Sequence, residues 1–166
     1  KFGIPRRLFD DTHEAFRDTV ARFLKAEVLP VYHEWEKAGR TPRDIWRRAG
    51  EIGILGTSIP EDWGGLGGDF LFDAVVLEEL GRHGVAAPAW DMHSYIIAPF
   101  LTAFGTDDQR ARWLPQMADG TIIASIGLTE PGGGSDLKEL RTSALLQGGS
   151  YPAPLCGIVR QTLRHR

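Results

Sequence analysis

The sequence predicts a mainly α chain that turns to β structure close to Thr121. Three observations carry this. Apolar residues recur at helical spacing through the first ~120 residues. Capping residues, prolines and glycines cut that stretch into separate helices. The run Ile122-Ile123-Ala124-Ser125-Ile126-Gly127-Leu128 then reads as a strand bounded by turn residues. An α-then-β order suggests two packing units rather than alternating α/β. The predicted organisation is a helical bundle domain over residues 1–120, the start of a β domain over 121–147, and a divergent tail over 148–166.

The elements follow in order. A first helix is expected from Asp11 or Thr12, because Asp11 and Glu14 have capping-box spacing. Phe16, Val20, Phe23 and Leu24 fall on one face of it. Pro30 interrupts it, and a short helix over Tyr32–Lys37 follows. Thr41-Pro42-Arg43-Asp44 offers a capping threonine, a proline at the first helical position and a first-turn acid. Ile45, Ala49 and Ile52 form the inner stripe of that helix, and Gly53 stops it. Ile59 to Asp69 is a loop, since four glycines in five residues favour no regular element. Asp69 caps a helix over Phe70–Gly81 that is apolar nearly all round, which suits the middle of a bundle. Pro88 breaks the chain, and Trp90–Phe104 forms another apolar-rich helix that Gly105 ends. Thr106 and Gln109 make a capping box for a last helix, which Pro115 breaks or kinks and Gly120 ends.

Composition narrows the function classes. A chain of 166 residues with 42% apolar residues can build a core, which argues against disorder. The net charge of −3 gives no reason to expect nucleic acid. The charge is uneven: residues 151–166 hold Arg160, Arg164 and Arg166 and no acid. The single cysteine, Cys156, excludes an intrachain disulfide, and no apolar run approaches the ~20 residues of a membrane span. The N-terminus lacks the apolar run of a signal peptide, so a cytoplasmic protein is expected.

The segment best suited to chemistry is Leu128-Thr129-Glu130-Pro131-Gly132-Gly133-Gly134-Ser135-Asp136. Its glycines let backbone N–H groups approach a ligand, and Thr129 and Ser135 add hydroxyls. Such a loop suits the carbonyl or phosphate oxygens of a cofactor; on these residues alone a flexible turn between strands is the favoured reading. It lacks the Lys of a P-loop and the following helix of a dinucleotide fingerprint. The Trp63–Gly68 loop reads as a ligand contact or as tight packing at a bend. The five histidines show no metal-ligand spacing, so no metal is expected. His93-Ser94 reads as structural or near a pocket. Glu78-Glu79 reads as a helix face and not an acid–base dyad, because adjacent helical residues point about a hundred degrees apart.

Taken together, Trp35–Gly39, Ile59–Gly68, Glu78-Glu79-Leu80, Gly105–Gln109, Trp113–Gly120 and Leu128–Asp136 resemble the acyl-CoA dehydrogenase family in order and spacing. His33–Gly39 and His93-Ser94 look most like the long-chain type. The resemblance runs from about residue 9 to Ala144. It implies the N-terminal helical domain of that fold, followed by the first strands of its middle β domain. It also implies FAD as cofactor, a fatty acyl-CoA thioester as substrate and a trans-2-enoyl-CoA as product. An electron-transfer flavoprotein is the implied electron acceptor, and a homo-oligomer the implied assembly. By the same resemblance Leu128 and Thr129 contact the flavin ring. Gly134 and Ser135 lie near the flavin and its phosphates, and Ser135 also faces the acyl-CoA. Ile126 stands where some relatives carry tyrosine.

The departures bear on activity. The family's catalytic base is a glutamate in a C-terminal bundle, which no residue here matches, so no catalytic residue is nominated. Pro152 and Pro154 would spoil a central strand where the family continues its β domain. These departures suggest a frameshift or premature stop that replaced the continuation after about residue 144. Three functions stay open: an acyl-CoA dehydrogenase of which this is the N-terminal part, a catalytically inactive helical binding or assembly module, and a gene remnant.

Overall fold

The computed structural model describes residues 8–127 together with 129, 130, 135, 136 and 138. Six α-helices lie among them: α1 (Asp11–Phe23), α2 (Tyr32–Ala38), α3 (Asp44–Glu51), α4 (Phe70–His83), α5 (Ala98–Phe104) and α6 (Asp107–Ala118). Residue contacts divide the chain into one unit over Lys1–Ser125 and a second over Ile126–Arg166. The mainly helical class is as predicted, and the helices belong to the first unit.

Local chemistry moves several boundaries. Asp10, not Asp11, caps α1: its carboxylate accepts from the Thr12 and His13 amides, and His13 Nδ1 accepts from the Asp10 amide. The capping box therefore uses histidine in place of the expected glutamate. Past Phe23 the helix widens into a π-helical turn over Leu24–Val28. α3 begins at Asp44, so Thr41 and Pro42 stand outside it. Arg43 takes the N-cap position without a side-chain cap and donates its guanidinium to the Thr121 carbonyl. Asp69 caps α4 as predicted, accepting from the Leu71 amide at 2.9 Å. The long helix after Pro88 carries a second π-helical stretch, Met92–Ile97, ahead of α5. The Thr106–Gln109 capping box is present in full. Pro115 does not end α6: the helix runs on to Ala118, where Leu114, Met117 and Ala118 are buried. Each such side chain contributes roughly 1–3 kcal/mol, enough together to offset the ~3 kcal/mol an interior proline costs.

Two apolar clusters hold the first unit. The larger gathers Phe23 and Leu24 from the α1 region, Trp35, Trp46, Val76 of α4, and Trp90. The smaller joins Ile59, Ala98, Leu114, Met117 and Ala118. α4 packs on α1 but is not enclosed, contrary to its all-round apolar sequence: Val75, Val76 and Leu80 are buried, whereas Phe70 and Leu77 are exposed. Helical spacing identifies the apolar faces; it does not say which of them a neighbour covers.

Ionic and polar groups close the α1–α4 contact. The Arg17 guanidinium donates to Glu78 at 2.9 Å and to Glu79 at 3.3 Å, and its Nε donates to Glu14 at 3.1 Å. Glu79 is 1% exposed and also meets Arg82 at 2.9 Å. The adjacent glutamates are thus a structural ion cluster, in line with the helix-face reading.

Candidate functional site

The glycine-rich Ile59–Asp69 loop is spoken for. Its Leu66, Gly67 and Gly68 amides donate to the Gly56, Ile59 and Thr57 carbonyls at 2.8–2.9 Å. A Cβ on Gly65 would stand 2.0 Å from the Ile59 carbonyl oxygen, so only glycine permits this approach. Of the two readings, tight packing at a bend is the one the structure bears out.

The segment that leaves α6 is held by a ladder of backbone contacts. Gly120 turns with φ +74°, and a Cβ there would lie 2.3 Å from the Trp46 carbonyl oxygen. The Asp119 carboxylate accepts from the Thr121 amide at 2.7 Å, and the Ile122 amide donates to the Gln116 carbonyl at 2.9 Å. Ile122 and Ala124 pack on the smaller cluster, and Ile123 packs on the larger one. Side chains alternating between two sides are what extended backbone produces. The predicted strand over Ile122–Leu128, whose last residue lies outside the described ones, is corrected in one respect: residues 122–127 are not helical, yet no strand ladder is formed among the described residues, where Glu130 sits at an isolated bridge. A strand needs a neighbour's amides and carbonyls, and a sequence pattern cannot supply them.

His93 anchors this segment. The ring is fully buried between Trp46, edge-on at 5.3 Å, and the end of α6. The Ala124 amide donates to Nδ1 at 3.0 Å, so the ring proton sits on Nε2, which donates to the Met117 carbonyl at 3.1 Å. Burial pulls the imidazole's pKa below its ordinary value, and the positive charge of Arg43 pulls the same way. Both ring nitrogens are therefore committed to backbone, and Ser94, also buried, makes no hydrogen bond to the ring. His93-Ser94 is not a nucleophile–base pair. Of its two readings the structural one stands.

In the second unit the Thr129 and Ser135 side chains are exposed, and Asp136 accepts from the Lys138 amide at 3.1 Å. Leu128 and Gly134, the other two predicted cofactor contacts, lie outside the described residues. Ile126 is half-buried. Two exposed neutral hydroxyls are a donor set that fits carbonyl and phosphate oxygens. No group of histidine, cysteine or acidic side chains among the described residues is disposed to hold a metal ion. No helix among them is long and apolar enough to cross a membrane. An open cleft of about 500 Å³, lined in part by Trp35, Arg40, Thr41 and Ala89, includes none of the predicted site residues.

The profile of the acyl-CoA dehydrogenase N-terminal domain matches residues 10–121. The chain belongs to the acyl-CoA dehydrogenase family. The mitochondrial long-chain specific acyl-CoA dehydrogenase of Rattus norvegicus is 42% identical over 146 residues, 88% of this chain and 34% of that protein. The acyl-CoA dehydrogenase of Geobacillus kaustophilus superimposes with a TM-score of 0.83 at 37% identity, covering 90% of this chain and 39% of that one. An acyl-CoA dehydrogenase of Bacillus anthracis, solved in complex with FAD, gives a TM-score of 0.74 at 32% identity, with 87% and 25% covered. The chain thus spans about a third of the length of the curated relatives it matches.

Proposed function

We propose that this chain is the N-terminal portion of an FAD-dependent acyl-CoA dehydrogenase and that its residues 128–135 supply one edge of the flavin site. The observation that carries the reading is the family match over residues 10–121, together with the 42% identity to the long-chain relative over 146 residues. FAD, when bound, supplies the two-electron oxidation that turns a fatty acyl-CoA thioester into its trans-2-enoyl-CoA. The chain's own part is to bind and orient. The Leu128 backbone and the Thr129 hydroxyl face the flavin ring, and fixed donors there stabilise negative charge that reduction places on the ring. Gly134 and Ser135 serve the flavin and its phosphates, and the Ser135 hydroxyl also faces the acyl-CoA. No group of this chain is assigned as the base. An electron-transfer flavoprotein is the proposed electron acceptor and the cytoplasm the proposed compartment, with self-association following the family habit.

Titration of the purified chain with FAD, followed by flavin fluorescence and absorbance, tests this. Thr129→Ala and Ser135→Ala are each expected to weaken FAD binding about fivefold, the loss of one hydrogen bond of about 1 kcal/mol. A chain that stays colourless in excess FAD sinks the reading. A second reading, a helical binding or assembly module, is favoured by the two apolar clusters that close within Lys1–Ser125. Cooperative unfolding together with no flavin uptake would select it.

A further inference from the structure

We infer that His13 is a proton-operated latch: one buried imidazole lies between the carboxylates that cap α1 and α4, and its protonation ties the starts of those helices together. The ring is 5% exposed. Nε2 stands 3.2 Å from the carboxylate of Asp69, the cap of α4. Nδ1 stands 2.7 Å from the carboxylate of Asp10, the cap of α1, and 3.2 Å from the Asp10 amide. Phe72 of α4 packs on the imidazole at 4.4 Å and Phe9 at 6.0 Å, so the ring side of each pair is dry. Asp10 and Asp69 are the charged groups that face it among the described residues. Arg17, one turn along α1, is committed to Glu14, Glu78 and Glu79, and Asp73, one turn along α4, to Thr57.

The two protonation states bond differently. Neutral imidazole has one donor and one acceptor. Facing the Asp69 carboxylate, Nε2 keeps the proton, and Nδ1 then accepts from the Asp10 amide, as in the cap described above. That arrangement sets the Nδ1 lone pair against a carboxylate oxygen at 2.7 Å with no proton between them. A second proton removes the conflict. Nδ1–H then donates to Asp10 over a distance proper to a charge-assisted bond, and Nε2–H donates to Asp69. The proton thus exchanges one bond within α1 for a cation held between the caps of two helices. Burial works against the charged ring, yet the Asp69 hydrogen bond and the Asp10 charge outweigh it and raise the imidazole above its ordinary 6.5. The latch therefore closes on the acid side: its stabilising share is complete below the unfolded value of 6.5 and fades as pH rises through the folded one. It lies within the helical unit and needs no flavin.

Asparagine caps a helix as well as aspartate does, so Asp10→Asn and Asp69→Asn each remove a charge and keep the cap. In an NMR titration of the His13 ring in the full chain, the wild-type midpoint should lie above 6.5, and each asparagine variant should weaken proton binding by the ring about fivefold. In urea unfolding, the unfolding constant of the wild type relative to that of Asp10→Asn/Asp69→Asn should rise about tenfold between about pH 5.5 and about pH 8.5. ¹⁵N spectra should show both ring nitrogens protonated on the acid side and Nε2 alone protonated on the basic side. A wild-type ring that titrates at or below 6.5 overturns the latch. So do single variants that keep the wild-type midpoint, and so does a stability difference that is the same at every pH, which is what a merely structural histidine gives. If a variant fails to fold, the wild-type midpoint and ¹⁵N spectra decide: a proton on Nδ1 and none on Nε2 above the midpoint refutes the exchange of bonds.

Discussion

Replacing Arg17 by leucine removes the guanidinium that ties α1 to Glu78 and Glu79 of α4, and the structure sets the size of the effect. Arg17 is about one-tenth exposed and Glu79 is 1% exposed. Removing one partner of a buried pair costs about 3–5 kcal/mol, chiefly because the other charge stays desolvated. Arg82 remains at 2.9 Å from Glu79 and relieves part of that cost. The Arg17 contact with the Phe9 ring, at 4.8 Å, adds about 0.5–1 kcal/mol to the loss. Arg17→Leu should therefore destabilise the chain by about 3 kcal/mol. In urea unfolding followed by circular dichroism, a slope of about 1.5 kcal/mol per molar turns this into a midpoint lower by about 2 M. The double variant Arg17→Leu/Glu79→Leu should recover to within about 1 kcal/mol of wild type, because no buried charge is then left alone. Arg48→Leu is the control: that arginine is half exposed on Glu27, so its loss should cost less than about 1 kcal/mol. An Arg17→Leu chain within 1 kcal/mol of wild type, or a double variant no more stable than the single one, would refute this account.

Other outcomes follow from named contacts. Gly65→Ala drives a methyl into the Ile59 carbonyl and should cost about 3 kcal/mol, whereas Gly81→Ala on α4 meets nothing within 4 Å and should gain about 0.5–1 kcal/mol; thermal melts of the pair check both. The Thr12 hydroxyl, with help from the His13 amide, holds the Asp10 carboxyl at about 2 instead of 3.8. Its stabilising share is present above the unfolded value and is lost as pH falls from about 4 through 2, so an NMR titration of Asp10 should show a midpoint near 2 that Thr12→Val raises. Burial raises the Asp73 carboxyl, although Thr57 donates to it. A raised acid binds its proton more tightly when folded, so this group's contribution to stability improves as pH falls toward the unfolded carboxylate range; Asp73→Asn should raise the melting point at pH 7 and erase that acid-side gain.

The Thr106–Gln109 box and the Asp69 cap were legible because both halves of each motif lie within a few residues. Asp10 was missed by one position because the motif names an acid where this chain uses His13. Of the two outcomes expected at Pro115, a break is excluded, because Leu114, Met117 and Ala118 are buried in a cluster that local rules do not see, and the helix ends just ahead of Gly120 as expected. The burial of Arg17, Asp73 and His93 had no sequence signal at all. Their partners lie 61, 62, 16 and 24 positions away, and only the fold brings them together. Of the candidate site, the sequence offers glycines and hydroxyls suited to a cofactor, and the structure adds that Thr129 and Ser135 are exposed. The two backbone contacts of His93 were not legible, since a histidine in an apolar helix reads the same whether its ring nitrogens meet water or backbone.

The alternation of Ile122, Ile123 and Ala124 between the two clusters has a bearing on where this domain can be cut. The family profile stops at residue 121, one position short of the side chains that roof both clusters. A piece trimmed to that limit would leave part of each cluster open to water, and it would aggregate on concentration. Extending it by only four residues, to Ser125, restores the cover. The shortest soluble version of the helical unit is thus set by which side chains shut the lid, and not by where sequence similarity fades.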